Sequence, residues 1–304
     1  MDKNYLLSIA ILTMNRCVKV TQAIESCLDS SLPDSCQFVI IDNGSTDQTE
    51  VEVRKILDTS SYDYLYKKLE KNIGVAPGRN LAFDLVSGKY VYFMDDDAII
   101  NPECRDSFFK NSIDFFENNH SVCSITTKII DPFSDRIPLC SKNSTINSYP
   151  EIFKFSGGSH FLRTSSFKKP LYQANIRYGS EELEPSLQAV EVGYRHVWLK
   201  SISVIHNPIN KWKRGSDSLR NILINSFAND FALKRNLYPF FFSFLIDLAL
   251  YVRIFKHISH RWNIQKSILL VSKQRYLEFE FLKTKKISFP TVIKLFIKYG
   301  FSIF

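Results

Sequence analysis

The 304-residue sequence contains no uninterrupted apolar run of the roughly 20 residues that a helix needs to cross a bilayer. Its most apolar stretch, residues 240–255, carries Asp247 at its middle and Arg253 near its end. A carboxylate at that depth is costly in hydrocarbon, so a spanning helix is excluded there. Cysteine pairs are missing too: Cys17, Cys27, Cys36, Cys104, Cys123 and Cys140 form no CxxC. That implies reduced thiols in a cytoplasmic protein rather than a zinc site or a disulfide framework. The residues just after Met1 are polar, and the apolar run 6–14 lacks a small-residue cleavage site, so no secretory signal is expected. Acidic residues are scarce in one part of the chain only. Residues 1–207 hold 22 Lys and Arg against 26 Asp and Glu, whereas 208–304 hold 17 against 5, giving net charges of −4 and +12. The tail that carries the positive charge has no recognisable nucleic-acid motif. Its aromatic and aliphatic content suits an anionic membrane surface better than a base-reading module.

What is abundant is apolar and aromatic side chains, 45% and 14% of the chain, enough for one large α/β core with appendages. The sequence is organised around Lys89-Tyr90-Val91-Tyr92-Phe93-Met94-Asp95-Asp96-Asp97-Ala98, an apolar run that stops on three carboxylates. Val, Tyr and Phe in near-continuous series read as a strand covered on both faces, and the carboxylates then lie at its carboxyl end, where open α/β sheets bind ligands. If extended backbone continues, Asp95 and Asp97 share one face and Asp96 takes the other. Like charges so close call for a counter-charge, of which a divalent cation is the simplest; a solvated acidic turn is the plainer alternative.

The first half repeats strand, polar loop and helix. Strands are expected at 6–12, 38–41 and, at an edge, 62–67, with helices at 18–30, 48–57 and from the 72–80 loop through residue 86. This alternation implies right-handed crossovers and a largely parallel sheet. Asp42 sits where a carboxylate can accept from a base N–H or a ribose hydroxyl, and Asn43-Gly44-Ser45 offers a turn with exposed backbone donors. Arg16 and Arg79 are loop cations suited to a diphosphate or to the acidic cluster. Taken singly, each also reads as ordinary turn and capping chemistry.

Taken together, Thr13-Met14-Asn15-Arg16 after an apolar strand, Val39-Ile40-Ile41-Asp42-Asn43-Gly44-Ser45-Thr46-Asp47, Asn72-Ile73-Gly74-Val75-Ala76-Pro77-Gly78-Arg79-Asn80 and Phe93-Met94-Asp95-Asp96-Asp97 resemble, in that order, the family 2 glycosyltransferases. The resemblance implies an α/β GT-A fold with a mostly parallel central sheet. It also implies a UDP- or dTDP-linked sugar donor and a manganese or magnesium ion held through an Asp-x-Asp signature. By it, Asp42 faces the nucleobase, Asp95 lies near the ribose or the metal, and Asp97 ligates the metal. Thr13, Asn15, Arg16, Gly44, Asn72, Gly74, Arg79, Asn80 and Asp96 become donor-site candidates.

In the second half, residues 153–163 read as a strand interrupted by Gly157 and Gly158, where a ligand can approach the backbone closely unless the pair simply forms a bulge. Glu181 and Glu182 open a helix with Ser180 as N-cap, Pro185 in the first turn or so and Gly193 at the C′ position. A capped helix with an acidic first turn accounts for this pattern. The resemblance adds that Glu182 matches the second acid of the family's Glu-Asp signature, followed by Gly193-Tyr194-Arg195, and acts as the general base toward an acceptor hydroxyl. Glu stands there in place of the usual Asp. That leaves Glu181 as a rival base, and a nucleotide-sugar-binding protein without turnover as the alternative reading. Residues 196–205 read as a last strand pair ending on His206, a structural residue or, by the resemblance, one beside the diphosphate and metal. Lys211 and Arg214 follow, as a cationic segment for the leaving diphosphate or as a solvated linker.

The expected organisation is a GT-A domain over residues 1–215 and a helical, basic region over 216–304 that contacts a membrane interface, flanked by Lys256, Arg261 and Lys266. The activity implied by the resemblance is inverting transfer of a sugar to a hydroxyl of a glycan or lipid-linked glycan, in bacterial surface glycan synthesis at the inner face of the cell membrane. Nucleic acid is not an expected partner.

Overall fold

The computed structural model describes residues 4–132, 136–176, 179–206, 216–258, 262–280 and 284–304. The first strands are β1 (Tyr5–Thr13), β2 (Cys36–Asp42), β3 (Asp63–Lys68) and β4 (Gly88–Asp95). They alternate with helices α1 (Cys17–Leu28), α2 (Thr49–Asp58) and α3 (Val75–Leu85). Side chains alternate across these strands and feed two separate cores. Leu7, Ile9, Phe38, Ile40, Tyr90 and Tyr92 pack on one face, with α1, α2 and the phenylalanines of α4 (Arg105–Asn118). Ala10, Val39, Ile41, Val91 and Phe93 pack on the other, with α3.

Beyond β4 the strands are β5 (Ala98–Ile100), β6 (Val122–Ile130), β7 (Cys140–Ile146), β8 (Tyr149–Ile152), β9 (Ser159–Arg163) and β10 (Arg195–His206). The sheet runs β3-β2-β1-β4-β9-β6-β10-β8-β7, with β5 on β10. Strands β3, β2, β1 and β4 form the expected parallel block, and β6 and β10 form a second parallel pair. Strand β9 joins the blocks antiparallel to both of its neighbours. Register aligns Thr13 with Asp42 and Leu12 with Asp95, so these strand ends share one edge of the sheet.

Three local expectations change. Residues 153–163 are not one strand: Gly157 and Gly158 lie in a turn before β9, which must enter the sheet against the direction of β4. The expected pair at 196–205 is a single strand, β10, whose register against β6 shifts between Leu199 and Ser203. Ser180 is not an N-cap. It adopts a left-handed backbone with φ +66°, and α5 (Leu183–Glu191) begins later, with no side-chain cap. Gly193 does take the C′ role, with φ +96°. Its N–H donates to Val190 O at 3.0 Å and that of Tyr194 to Ala189 O at 3.0 Å, the Schellman pattern.

The C-terminal helices are α6 (Ser216–Leu237), α7 (Ser243–Ile258), α8 (Trp262–Glu280) and α9 (Phe289–Tyr299). Leu233, Leu237, Ile246, Val292 and Leu295 complete the same core that α3 and α5 cover. The charges within the apolar 240–255 stretch fasten α7 to α6: Arg253 Nη1 donates to Asp230 Oδ2 at 2.7 Å, and Asp247 lies 3.7 Å from Arg235. Among the described residues, no helix is long and apolar enough to cross a membrane.

Candidate functional site

The carboxyl edge of β1 and β4 opens on a cavity of ≈ 1150 Å³. The chain leaves β4 at Asp95 and turns at Asp96 and Asp97 instead of continuing extended. The turn still brings Asp95 and Asp97 together, beside His206, and leaves Asp96 outside that group. Asp96 points inward, accepting from Thr13 Oγ1 at 2.8 Å and from Arg16 Nη1 at 2.6 Å. Burial pushes its pKa up to about 6 against the pull of Arg16. Asp97 accepts from Arg16 Nη1 at 3.0 Å, and its Oδ1 lies 3.1 Å from His206 Nε2. Burial opposes its ionisation, but the bond and charge of His206, then Arg16, hold its carboxyl below the usual range.

Ligand atoms of Asp95, Asp97 and His206 lie within 4.8 Å of one another. His206 Nδ1 is 3.1 Å from Oδ2 of the buried Asp131, which fixes the ring with Nε2 toward the carboxylates. Two carboxylates and a carboxylate-backed imidazole form a donor set that suits a divalent manganese or magnesium ion. Arg136 closes this corner, donating from Nε to Asp131 Oδ2 at 2.9 Å.

A second acidic pair faces the first across Arg79. Gly78 lets α3 sit close on β1, since a Cβ there would meet Leu12 Cδ1 at 2.6 Å, and Arg79 is thereby held under the site. Its Nη2 donates to Asp95 Oδ1 at 2.7 Å and to Gly157 O at 2.9 Å. Its Nη1 lies 3.4 Å from Glu181 Oε1 and 3.8 Å from Glu182 Oε1. Burial, then the neighbouring Glu182 charge, pushes the Glu181 carboxyl up to about 7. Among the described residues, its buried Oε2 has no hydrogen-bond partner. Glu182 Oε2 lies 3.4 Å from Lys154 Nζ. The paired glycines make room for these groups: a Cβ on Gly157 would lie 2.1 Å from Glu182 Oε1, and one on Gly158 would lie 3.2 Å from Asp95 Oδ2.

Of the sequence candidates, Thr13, Arg16, Asn72, Gly74, Arg79, Asp95, Asp96, Asp97, Gly157, Gly158, Glu181, Glu182 and His206 line the cavity. Asp42 does not. It is fully buried, with Oδ1 accepting from Ser45 N–H at 2.7 Å and Oδ2 from Tyr66 Oη at 2.7 Å, so its carboxylate ties down the loop instead of facing the cavity. Asn15 accepts from Thr46 N–H at 2.8 Å, and Gly44 (φ +89°) packs on the Lys71 backbone, so both shape the same loop. Asn80 exchanges two hydrogen bonds with the Tyr172 backbone, each of 2.8 Å. Lys211 and Arg214 lie outside the described residues.

Asn43, Asp131 and Arg136 are additions to the sequence candidates. Asn43 donates to Asn72 Oδ1 at 2.9 Å and accepts from Ile73 N–H at 2.9 Å, building the cavity wall beside Met14. Asp131 follows the apolar end of β6, the same strand-then-carboxylate signal that marks Asp95.

The architecture is a GT-A fold. It is similar to S. aureus TarS 1–349 in complex with UDP-GlcNAc, with TM-score 0.60 and 18% identity over 91% of this chain and 83% of that one. It is also similar to the mannosyltransferase PcManGT from Pyrobaculum calidifontis in complex with GDP-Man and Mn2+, with TM-score 0.59 and 13% identity over 99% of this chain and 86% of that one. Residues 8–169, more than half of the chain, match glycosyl transferase family 2, and the chain belongs to that family. Among curated proteins it is similar to the minor teichoic acid biosynthesis protein GgaB of Bacillus subtilis (strain 168), 24% identical over 123 residues. That match covers 40% of this chain and 13% of that protein. The chain likewise spans only 25% and 40% of two further relatives, from Rickettsia bellii and Methanocaldococcus jannaschii.

Proposed function

We propose that this chain is the catalytic unit of an inverting glycosyltransferase that moves a sugar from a nucleoside diphosphate to a hydroxyl of a glycan or lipid-linked glycan. The observation that carries the reading is Arg79, which contacts Asp95 of the metal-type cluster and Glu181 beside the candidate base within one cavity. Family membership and the GT-A neighbours bound to UDP-GlcNAc and GDP-Man support a nucleotide-sugar donor. UDP- and dTDP-linked sugars stand first, with the base against the wall of Met14, Asn43 and Asn72 rather than on Asp42.

Asp95, Asp97 and His206 would hold a manganese or magnesium ion, which when bound supplies positive charge against the donor diphosphate. Glu182 takes the proton of the acceptor hydroxyl as that oxygen attacks the anomeric carbon from the face opposite the diphosphate. One displacement inverts the centre and needs no sugar bound to the enzyme. Glu181, whose carboxyl is pushed up by burial and then by the Glu182 charge, would hold the acceptor by hydrogen bonds. Arg79 keeps the two acidic pairs apart and screened from each other. The biological setting that fits is surface glycan synthesis at the inner face of a bacterial membrane.

The test is release of nucleoside diphosphate from UDP-, dTDP- and GDP-sugars in manganese, magnesium or chelator, with the wild type and Asp97→Ala. Metal-dependent release from one donor, abolished by the substitution, is expected. Release that survives both chelator and Asp97→Ala would overturn the assignment of the metal cluster.

A further inference from the structure

Exposed apolar side chains are concentrated at the C-terminal end of the molecule. Among the described residues, eleven of the twenty-two exposed large apolar side chains fall within residues 240–255 or 289–301, and none of the eleven lines the cavity. Phe240 and Phe241 are each 80% exposed and Phe244 72%. Along α7, Phe244, Leu248, Tyr251, Val252 and Phe255 recur at helical spacing on the outward face, while Ile246, Ala249, Leu250 and Ile254 are buried. The helix is thus apolar on both faces, yet it sits at the surface and cannot span a bilayer.

Ring contacts join this face to α9. Phe241 and Phe242 pack on Phe289, with centroids 5.9 and 5.0 Å apart. Phe242, Phe296 and Phe301 all pack on Phe304, at 5.7, 6.0 and 5.6 Å. Exposed Phe241, Phe289, Phe296 and Phe301 therefore rim the buried pair Phe242 and Phe304. The α9 segment carries charge of one sign: residues 281–304 contain five lysines and no Asp or Glu, while the one acid of the 240–255 stretch, Asp247, lies 3.7 Å from Arg235. Lys256, Lys285, Lys286 and Lys294 are exposed, while Lys298 is paired with Glu151 at 2.7 Å.

We propose that this face of α7 and α9 seats the protein on an anionic lipid bilayer. Aromatic rings at the level of the headgroups and lysines against lipid phosphates are the complementary chemistry. A second copy meeting the same face symmetrically would set these lysines against one another. The seat is also tied to the site. Glu191 Oε2 of α5 accepts from Ser288 N–H at 2.8 Å, and Gln188 of α5 donates to Lys285 O. On the reading of the site proposed above, docking then fixes the helix that follows Glu182 relative to a membrane-borne acceptor.

The experiment is flotation of the whole chain with phosphatidylcholine vesicles, with and without phosphatidylglycerol. It includes Phe241→Ser/Phe244→Ser and Lys285→Glu/Lys286→Glu variants, with melting temperature, light scattering and nucleoside diphosphate release measured alongside. The wild type floats only with phosphatidylglycerol, and less as salt rises. Partition falls at least about ten-fold in both variants, and melting reads separately what is lost with the Phe241–Phe289 contact or the Lys285 charge beside Glu191. A wild type that stays unbound, or whose apolar face disappears into a dimer dissolved by the phenylalanine substitutions, overturns the proposal. Loss of flotation leaves diphosphate release measurable, so the docking face and the site reading fail separately. If a variant shifts in melting, the wild type's lipid and salt dependence still decides the matter.

Discussion

Gly157 and Glu182 share one small space: a Cβ on the glycine would sit 2.1 Å from Glu182 Oε1. The far end of a flexible side chain gives way more readily than backbone, so Gly157→Ala should fold but push the candidate base aside. Turnover should fall about 10²-fold, the scale of an ångström-level misplacement. Adding Glu182→Asp shortens the base by one methylene and should recover part of the loss. If Gly157→Ala is fully active, turnover does not depend on where Glu182 sits, and its assignment as the base fails.

Arg79 is buried among Asp95, Glu181 and Glu182. Among the described residues, removing it leaves Asp95 without its cationic partner and the two glutamates with Lys154 alone. Arg79→Met should therefore cost about 3–5 kcal/mol in denaturant unfolding, the range for breaking a buried pair from one side. A loss below about 1 kcal/mol, typical of exposed pairs, would mean that solvent or another cation already screens the cluster.

The Glu181 carboxyl, pushed up to about 7 by burial and then by Glu182, binds its proton more tightly folded than unfolded. Its contribution to stability is thus fully present below the ordinary carboxylate range and is lost as pH rises through about 7. Between about pH 5 and pH 8, wild type should lose stability relative to Glu181→Gln, whose amide stays neutral. Denaturant midpoints across that range read this directly. Parallel pH profiles would show that Glu181 is not held protonated by the fold.

Asp131 touches His206 on the side away from the metal-type cluster. Asp131→Asn should weaken manganese binding about 10- to 100-fold, as loss of a carboxylate behind a ligating histidine does elsewhere. Titration calorimetry with manganese alone, and manganese dependence of diphosphate release, are the measurements. Unchanged affinity would remove His206 from the ligand set.

The alternation of strand and helix, the position of β4 and the C′ glycine of α5 were legible because each follows from local pattern and backbone chemistry. Which strand-end carboxylates face the cavity was not. Asp42 and Asp95 both close apolar strands, but Tyr66 on the neighbouring edge strand and Ser45 in the loop seal only Asp42. Partners so far apart in sequence leave no mark on periodicity. Ser180 looked like a cap by residue type, and its left-handed backbone moved the helix start past both glutamates. The glycine pair signalled a close approach correctly, but the group that approaches Gly157 is a side chain of the protein itself.

The most direct test of the central claim compares donor binding with transfer in Glu182→Gln. Calorimetry should find nucleotide-sugar affinity unchanged, while transfer to acceptor falls about 10²- to 10⁴-fold, the contribution of a general base. Transfer that persists at the wild-type rate would contradict Glu182 as the base and move the role to Glu181 or out of this acidic pair altogether.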